Sequence, residues 1–193
     1  MVYSPGTCSR SARYYDIVPR AYQDVRLKYY CEVKHIMPNI LVVCTANICR
    51  SPVAEALLRD RLRKEGLDDW IVGSAGTWAY PGQSAAENST KLMADQGLNI
   101  EDHESRIVSQ ALIAEADLVL CMEIGHAEAL RAEFPLEKRK IFLLTEMSDK
   151  HYSVSDPYSG PLETYESMVD EVTTLIDEGL VRIIELATAN AAT

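Results

Sequence analysis

The sequence predicts an α/β fold, an open three-layer sandwich in which a four-stranded parallel sheet is flanked by helices. Two observations predict it. From residue 39 onward, short apolar runs alternate with amphipathic helical segments, and strands separated by helices pair in parallel through right-handed crossovers. The first apolar run also leads through a short loop directly into a helix start. In such sheets this is the edge at which ligands bind.

The strands are predicted from short, β-branched apolar runs, which suit strands covered on both faces. They are residues 40–43, 70–72 with the strand ending in residues 73–76, 117–122 and 140–144. The helices are predicted where apolar residues recur at intervals of three and four. They are residues 51–65, 87–96, 109–115, 125–133 and 162–187. Ser51 is expected to cap the first helix with Pro52 at its first position, and Gly66 and Gly97 to end the first two helices.

The composition restricts the class of protein. Of 193 residues, 47% are apolar and 25% charged, as in ordinary soluble domains rather than disordered or collagen-like chains. The formal net charge of −10 argues against nucleic acid as a partner, because nonspecific affinity for it comes from basic clusters. No apolar run reaches the roughly 18 residues that membrane insertion requires. Any phosphate chemistry must therefore occur in a local pocket.

The first 36 residues differ from the rest. They carry six basic against three acidic side chains and six of the ten tyrosines, without the pattern of a secretory signal. We expect residues 1–36 to be a loosely ordered extension or an artefact of start-site choice before Met37, and residues 37–193 to be the catalytic domain. The five cysteines lack zinc-finger spacing. A cytoplasmic location is expected, where cysteines are more often catalytic, redox-active or buried.

The loop after the first predicted strand reads CTANICRS, from Cys44 to Ser51. Its backbone N–H groups can wrap around one tetrahedral anion, and the dipole of the following helix adds positive potential. This field favours the nucleophilic thiolate of Cys44. Arg50 offers two donors to a phosphoryl group, Ser51 can donate to the sulfur, and Asn47 tolerates the positive φ of a tight loop. Alternatively, Cys44 is a small buried residue and Arg50 a solvated one.

The segment VCTANICRSPVAE, which contains this loop, resembles the phosphate loop of low-molecular-weight protein tyrosine phosphatases. Four further segments resemble that family in the same order, so the resemblance covers residues 39 to about 185. They are Ser74-Ala75-Gly76-Thr77, Gly97 through His103 to Arg106, Leu120-Cys121-Met122-Glu123 and Asp156-Pro157-Tyr158. The resemblance implies a protein tyrosine phosphatase that hydrolyses aryl phosphate monoesters through a phosphocysteine, with phosphotyrosine-containing proteins as partners and without a metal or other cofactor.

The resemblance also implies the residue roles. Cys44 would attack phosphorus, Arg50 would stabilise the transferring group, and Asp156 would protonate the leaving oxygen. The phosphate would be held by the loop residues Thr45, Ala46, Asn47, Ile48, Cys49 and Arg50. Ser51 would stabilise the thiolate, Ser74 and His103 would support the loop behind Asn47, and Cys49 would form a reversible disulfide with Cys44. The substrate slot would be lined by Ile48, Trp78, Tyr80 and Tyr158.

Alternatives remain open. Arsenate reductases share this loop but need two further redox cysteines, whereas only Cys121 lies downstream. Protein arginine phosphatases of this family resemble the chain too, with threonine at the position of Ile48, so isoleucine favours phosphotyrosine. A non-catalytic phosphate-binding module would not need Asp156. The family usually has glycine in place of Ala46, and alanine is costly there only if its φ is positive.

Overall fold

A computed structural model describes residues 37–192, and the expectation for residues 1–36 lies outside this range. In the described residues one sheet contains four parallel strands in the order β2-β1-β3-β4. These strands are β1 (Asn39–Cys44), β2 (Ile71–Gly76), β3 (Leu118–Cys121) and β4 (Ile141–Leu143). The predicted four-stranded parallel sheet is confirmed, because each strand returns to the same direction through an intervening helix.

The described part of the chain has five α-helices. They are α1 (Arg50–Lys64), α2 (Glu87–Asp95), α3 (Gln110–Glu115), α4 (Ile124–Glu133) and α5 (Leu162–Ala191). Gly66 and Gly97 follow the ends of α1 and α2 with φ of 75° each, as expected for glycines that end helices. Short 3-10 helices at Lys138–Lys140 and Thr145–Ser148, which the sequence did not predict, flank β4.

The sheet is covered on both faces. Along β1, Leu41 and Val43 belong to one apolar cluster with Ile113 of α3 and Leu130 of α4. Alternate residues of a strand point to opposite faces, so Ile40 lies on the other side, where α1 and α5 pack on β1 and leave Ile40 fully buried. This arrangement is the predicted three-layer sandwich. None of the helices in residues 37–192 combines the length and apolar content that crossing a bilayer requires.

Strand β2 ends within the segment 73–76, as the sequence predicted, and Ser74 and Gly76 pair with β1 opposite Val42 and Cys44. The expected start of the first helix was wrong. Helix α1 begins at Arg50 with Cys49 as its N-cap residue, so Ser51 is not the cap. The hydroxyl of Ser51 is instead directed into the preceding loop, where it contacts the sulfur of Cys44.

The sheet topology brings three segments to one edge. Parallel strands end at the same edge, and β1 and β3 are neighbours, so the loop after Cys44 lies beside the segment after Cys121. Met122 N–H donates to Val43 O, and Val154 N–H donates to Met122 O. These two hydrogen bonds bring the segment that carries Asp156 to the loop that carries Cys44.

Candidate active site

The loop from Cys44 to Arg50 closes around the sulfur of Cys44. Cys44 Sγ lies 3.0 Å from Ser51 Oγ and accepts a hydrogen bond from the backbone N–H of Asn47 at 3.2 Å. The side chain is 2% exposed, and the sulfur has two polar neighbours in this loop. The sulfur therefore lies among groups that can donate hydrogen bonds to it.

Asn47 has the left-handed backbone conformation that the sequence predicted, with φ of 58°. Its buried amide holds the loop together: Nδ2 donates to Ser51 Oγ at 2.9 Å and to Ser74 Oγ at 2.8 Å. Oδ1 accepts from the backbone N–H of Arg106 at 2.9 Å. Ala46 is not among the described residues with positive φ, so alanine in place of the family's glycine causes no backbone strain.

A second layer of side chains holds Asn47 from behind. His103 Nε2 lies 2.7 Å from the carbonyl oxygen of Asn47. Ser74 donates to Glu55 Oε2 at 2.7 Å, and Arg106 Nε donates to Ser74 O at 2.8 Å. The structure thus places Ser74 and His103 behind the loop, where they were expected. Glu55 and Arg106 had no assigned role, although both lie within the segments that carry the family resemblance.

Arg50 is almost completely buried, at 1% exposure, and its guanidinium connects the loop to two distant segments. Nη1 donates to Glu123 Oε1 at 2.6 Å and to Val154 O at 3.1 Å. Nη2 donates to Thr45 Oγ1 at 3.1 Å and to Asp156 Oδ2 at 2.7 Å. The remaining donor, Nε, is buried without a hydrogen-bond partner within residues 37–192. A buried unpaired donor is costly, so Nε suits an acceptor that the protein itself does not supply.

Glu123 and His126 were missed by the sequence reasoning as members of this site. Burial alone would raise the pKa of Glu123, but the hydrogen bond and charge of Arg50 outweigh it and lower that pKa. Burial lowers the pKa of His126, with Arg50 acting in the same direction and Glu123 against it. Glu123 ends the segment Leu120–Glu123, which resembles the family, so its role could have been suspected. No pattern in the sequence indicated His126.

Asp156 is held at the mouth of the loop. Its side chain is 43% exposed, with Oδ2 on Arg50 Nη2 and Oδ1 accepting from the backbone N–H of Tyr158 at 3.2 Å. Through Arg50 the carboxylate is thus joined to the loop that holds the sulfur, as the sequence predicted. A carboxyl group at the exposed side of an anion-binding loop can exchange a proton with a leaving group or with water.

Cys49 is buried on the other side of the same loop, at 3% exposure. Its Sγ lies 3.7 Å from the hydroxyl of Tyr165 on α5, and burial raises the pKa of the Cys49 thiol to about 11. Cys44, Cys49 and Cys121 are free thiols in the structure. Cys121 and Met122 lie in the core, with at most 1% exposure.

The residues predicted to line a substrate slot lie on segments next to the loop. Ile48 is half-buried, whereas Trp78 is 85% exposed, Tyr80 75% and Tyr158 64%. Trp78 N–H donates to Thr45 O at 2.8 Å, so the backbone carrying Trp78 is attached to the phosphate loop. Neither Trp78 nor Tyr80 packs in the core, which leaves both available as predicted wall residues.

Within residues 37–192, no group of three or more His, Cys, Asp and Glu side chains is placed to hold a metal ion. The site brings three kinds of group together within the described residues: a sulfur among N–H and O–H donors, a buried guanidinium with an unpaired Nε, and a partly exposed carboxylate beside it. Together they can bind a tetrahedral oxyanion, attack its central atom and exchange a proton with it.

The family model described as "Low molecular weight phosphotyrosine protein phosphatase" matches residues 39–187. A probable low molecular weight protein-tyrosine-phosphatase, EpsP of Ralstonia nicotianae, is 32% identical over 148 residues, 77% of this chain and 97% of that protein. A protein-arginine-phosphatase of Geobacillus stearothermophilus is 37% identical over 140 residues, 72% of this chain and 91% of that protein.

A solved structure shows the same fold. The low molecular weight protein tyrosine phosphatase from T. tengcongensis has a TM-score of 0.71 and 34% identity, covering 75% of this chain and 99% of that one. The family match covers the whole described sheet and the loop from Cys44 to Arg50. The chain belongs to the low molecular weight phosphotyrosine protein phosphatase family.

Proposed function

We propose that this protein is a phosphatase that hydrolyses aryl phosphate monoesters, with phosphotyrosine-containing proteins as substrates. One observation carries the proposal: Arg50, which follows the loop around Cys44 Sγ, also holds the carboxylate of Asp156, at 2.7 Å from its Nη2. The groups that we propose as nucleophile, anion-binding guanidinium and proton donor thus lie at one site. A module that only bound phosphate would not need all three.

In the first step, Cys44 Sγ attacks phosphorus, the bond between phosphorus and the phenolic oxygen breaks, and Asp156 transfers its proton to that oxygen. The loop N–H groups and Arg50 stabilise the charge on the phosphoryl oxygens. We assign Arg50 Nε, which is unpaired within the described residues, to one of these oxygens and Nη2 to a second. Asp156 must then leave Nη2, so binding of the dianion frees the carboxyl group for its role as acid.

In the second step, water attacks phosphorus and the bond between sulfur and phosphorus breaks. Asp156, now a carboxylate, takes a proton from the water. The electron pair returns to Cys44 Sγ, where Ser51 Oγ at 3.0 Å and the backbone N–H of Asn47 at 3.2 Å support the returning thiolate. This explains why the Ser51 hydroxyl is directed into the loop rather than used to cap the helix.

Phosphoarginine proteins are the second candidate substrates, because relatives named protein-arginine-phosphatases match this chain as well as relatives named for tyrosine do. Ile48 favours the aryl substrate, since an aliphatic side chain beside the loop suits a phenyl ring. Exposed Trp78, Tyr80 and Tyr158 are proposed to complete the slot. Cys49, buried in the same loop, is proposed to protect Cys44 as a disulfide partner.

The test measures turnover of p-nitrophenyl phosphate in the presence of a chelator, and then of phosphotyrosine, phosphoarginine and phosphoserine peptides. We expect turnover with competitive inhibition by vanadate, preference for phosphotyrosine, and no turnover in Cys44→Ser. Cys121→Ala is the matched control, because it removes a buried thiol of strand β3 and should leave turnover intact. Robust arsenate reduction with negligible phosphatase turnover would refute the proposal.

Asp156→Ala separates the acid from the other groups. Loss of a general acid costs about 10² to 10⁴ in rate, and the loss should be largest for a poor leaving group. We therefore expect kcat to fall far more for phosphotyrosine than for p-nitrophenyl phosphate, whose leaving group departs without protonation. An equal loss for both substrates would show that Asp156 is not the acid.

A further inference from the structure

The side chains of Thr45 and His126 lie next to Arg50, although nothing in the reaction above uses them directly. His126 is in the first turn of α4 and is 9% exposed. Its Nε2 lies 3.1 Å from Thr45 Oγ1. The same hydroxyl accepts from Arg50 Nη2 at 3.1 Å and lies 3.3 Å from Glu123 Oε1. Three partners therefore converge on one hydroxyl group.

The hydrogen count of a hydroxyl decides how these contacts are arranged. A threonine hydroxyl has one hydrogen and two lone pairs. Every contact receives a hydrogen if His126 Nε2–H and Arg50 Nη2–H both donate to Thr45 Oγ1, and Thr45 in turn donates to Glu123 Oε1. That arrangement requires a hydrogen on Nε2, which both the neutral ring and the cation can carry. The other ring nitrogen, Nδ1, is buried without a partner in the described part of the chain, which disfavours a second N–H there.

Burial and the cation of Arg50 favour the same neutral form of His126. Arg50 of α1 places a cation nearby, whereas Glu123 at 3.7 Å and Asp156 are the anions facing the ring. Burial, the largest influence, lowers the pKa of His126. Glu123 and Asp156, which both pair with Arg50, act in the opposite direction, but burial outweighs them. His126 therefore serves as a fixed donor near neutral pH.

In the proposed reaction, the contact between Thr45 Oγ1 and Arg50 Nη2 orients the guanidinium. Asp156 must release Arg50 Nη2 for the phosphoryl group, after which Thr45 Oγ1 is the remaining protein acceptor on that nitrogen. Glu123 and Val154 hold only Nη1. The direction of Nη2 toward the phosphoryl group thus depends on where the Thr45 hydroxyl is held, and His126 and Glu123 hold it from two sides.

We infer that His126 is a positioning residue that acts through the Thr45 hydroxyl to keep the guanidinium of Arg50 directed at the transferring phosphoryl group. The inference rests on the proposed function. Its effect should appear in transition-state stabilisation and be independent of the leaving group, because Arg50 contacts the phosphoryl oxygens. Loss of a direct oxyanion donor costs about 10² to 10³. An indirect residue should cost less, about tenfold in kcat.

The experiment compares His126→Leu, which fills the space without an N–H, with His126→Gln, whose amide can replace the Nε2–H donor. We expect kcat to fall about tenfold in His126→Leu, equally for p-nitrophenyl phosphate and phenyl phosphate, and to stay within about threefold of wild type in His126→Gln. Leu130→Ala is the control for stability, because it opens the core on the same helix without contacting Arg50. It should lower Tm and leave kcat unchanged.

Two further measurements test the route through Thr45. Thr45→Val removes the hydroxyl at nearly constant volume. In the double variant with His126→Leu, kcat should fall no further than in Thr45→Val alone, because the effects of residues that act through one another are not additive. Vanadate affinity, measured by calorimetry, should weaken about tenfold in His126→Leu and hardly at all in Leu130→Ala. This second measurement needs no turnover, so it tests the inference even if the proposed activity fails.

The inference would be overturned by wild-type kcat and vanadate affinity in His126→Leu, by no recovery of kcat in His126→Gln, or by losses in kcat that multiply when His126→Leu and Thr45→Val are combined. A wild-type protein without phosphatase turnover would instead refute the proposed function. A loss in His126→Leu that differs between the two leaving groups would assign His126 to proton transfer and also overturn the inference.

Discussion

Replacing Asn47 perturbs the loop most directly, because its side chain makes three hydrogen bonds and its backbone has an unusual positive φ. The amide is fully buried and bonds Ser51 Oγ, Ser74 Oγ and the backbone N–H of Arg106. The residue has φ of 58°. Asn47→Ala removes the three hydrogen bonds and places alanine in the left-handed region, whereas Asn47→Gly removes the same bonds but accepts that conformation.

The magnitude follows from these contacts. Each of the two hydrogen bonds from Nδ2 contributes about 1 kcal/mol, and the Arg106 N–H left without a partner costs about 1 to 3 kcal/mol, so Asn47→Gly should lose about 3 to 5 kcal/mol of unfolding free energy. In Asn47→Ala the left-handed conformation costs about 1 to 2 kcal/mol more, partly offset by about 0.4 to 1 kcal/mol from the lower entropy of the unfolded chain. The Asn47→Ala variant should therefore be less stable than Asn47→Gly by about 0.8 kcal/mol.

Urea denaturation gives the free energies of unfolding, and p-nitrophenyl phosphate turnover reports on the loop itself. We expect both Asn47 variants to lose turnover, since the loop N–H groups no longer converge on one anion. Asn99→Ala is the matched control: its exposed side chain makes a single hydrogen bond, to Glu101 N–H, and should cost less than about 1 kcal/mol. A loss below 1 kcal/mol in Asn47→Ala, or alanine more stable than glycine, would refute this reasoning.

Two further predictions concern backbone space and pH. In Gly76→Ala the new Cβ would lie 2.5 Å from Thr45 O, so the loop must shift and turnover should fall at least tenfold by kcat measurement. Gly125→Ala meets no atom within 4 Å and should keep turnover while raising Tm slightly. Burial raises the pKa of the Cys49 thiol from 9.0 to about 11. As pH rises from 9 to 11, the thiol therefore loses its proton in the unfolded chain before it does in the folded protein. The free energy of unfolding falls over this pH range as a result. Cys49→Ala should make that fall shallower in urea titrations, and an unchanged slope would contradict it.

Several features of the site were predictable because they depend on short stretches of chain. A stretch of about a dozen residues contains the strand, the loop from Cys44 to Arg50, and Asn47 with its positive φ. Asp156, Ser74 and His103 were found only through the family resemblance, since an isolated Asp-Pro, serine or histidine carries no information about its neighbours in space. The structure brings all three to the loop.

The sequence by itself determined the alternation of strands and helices and the anion-binding loop, because periodicity, glycine positions and backbone preferences act over a few residues. Only the tertiary structure decided which side chains surround that loop. Strand β3 pairs beside β1, and this brings Glu123, 73 residues away, to Arg50, and His126, 81 residues away, to Thr45. Such partners depend on strand order and register, which no local pattern encodes.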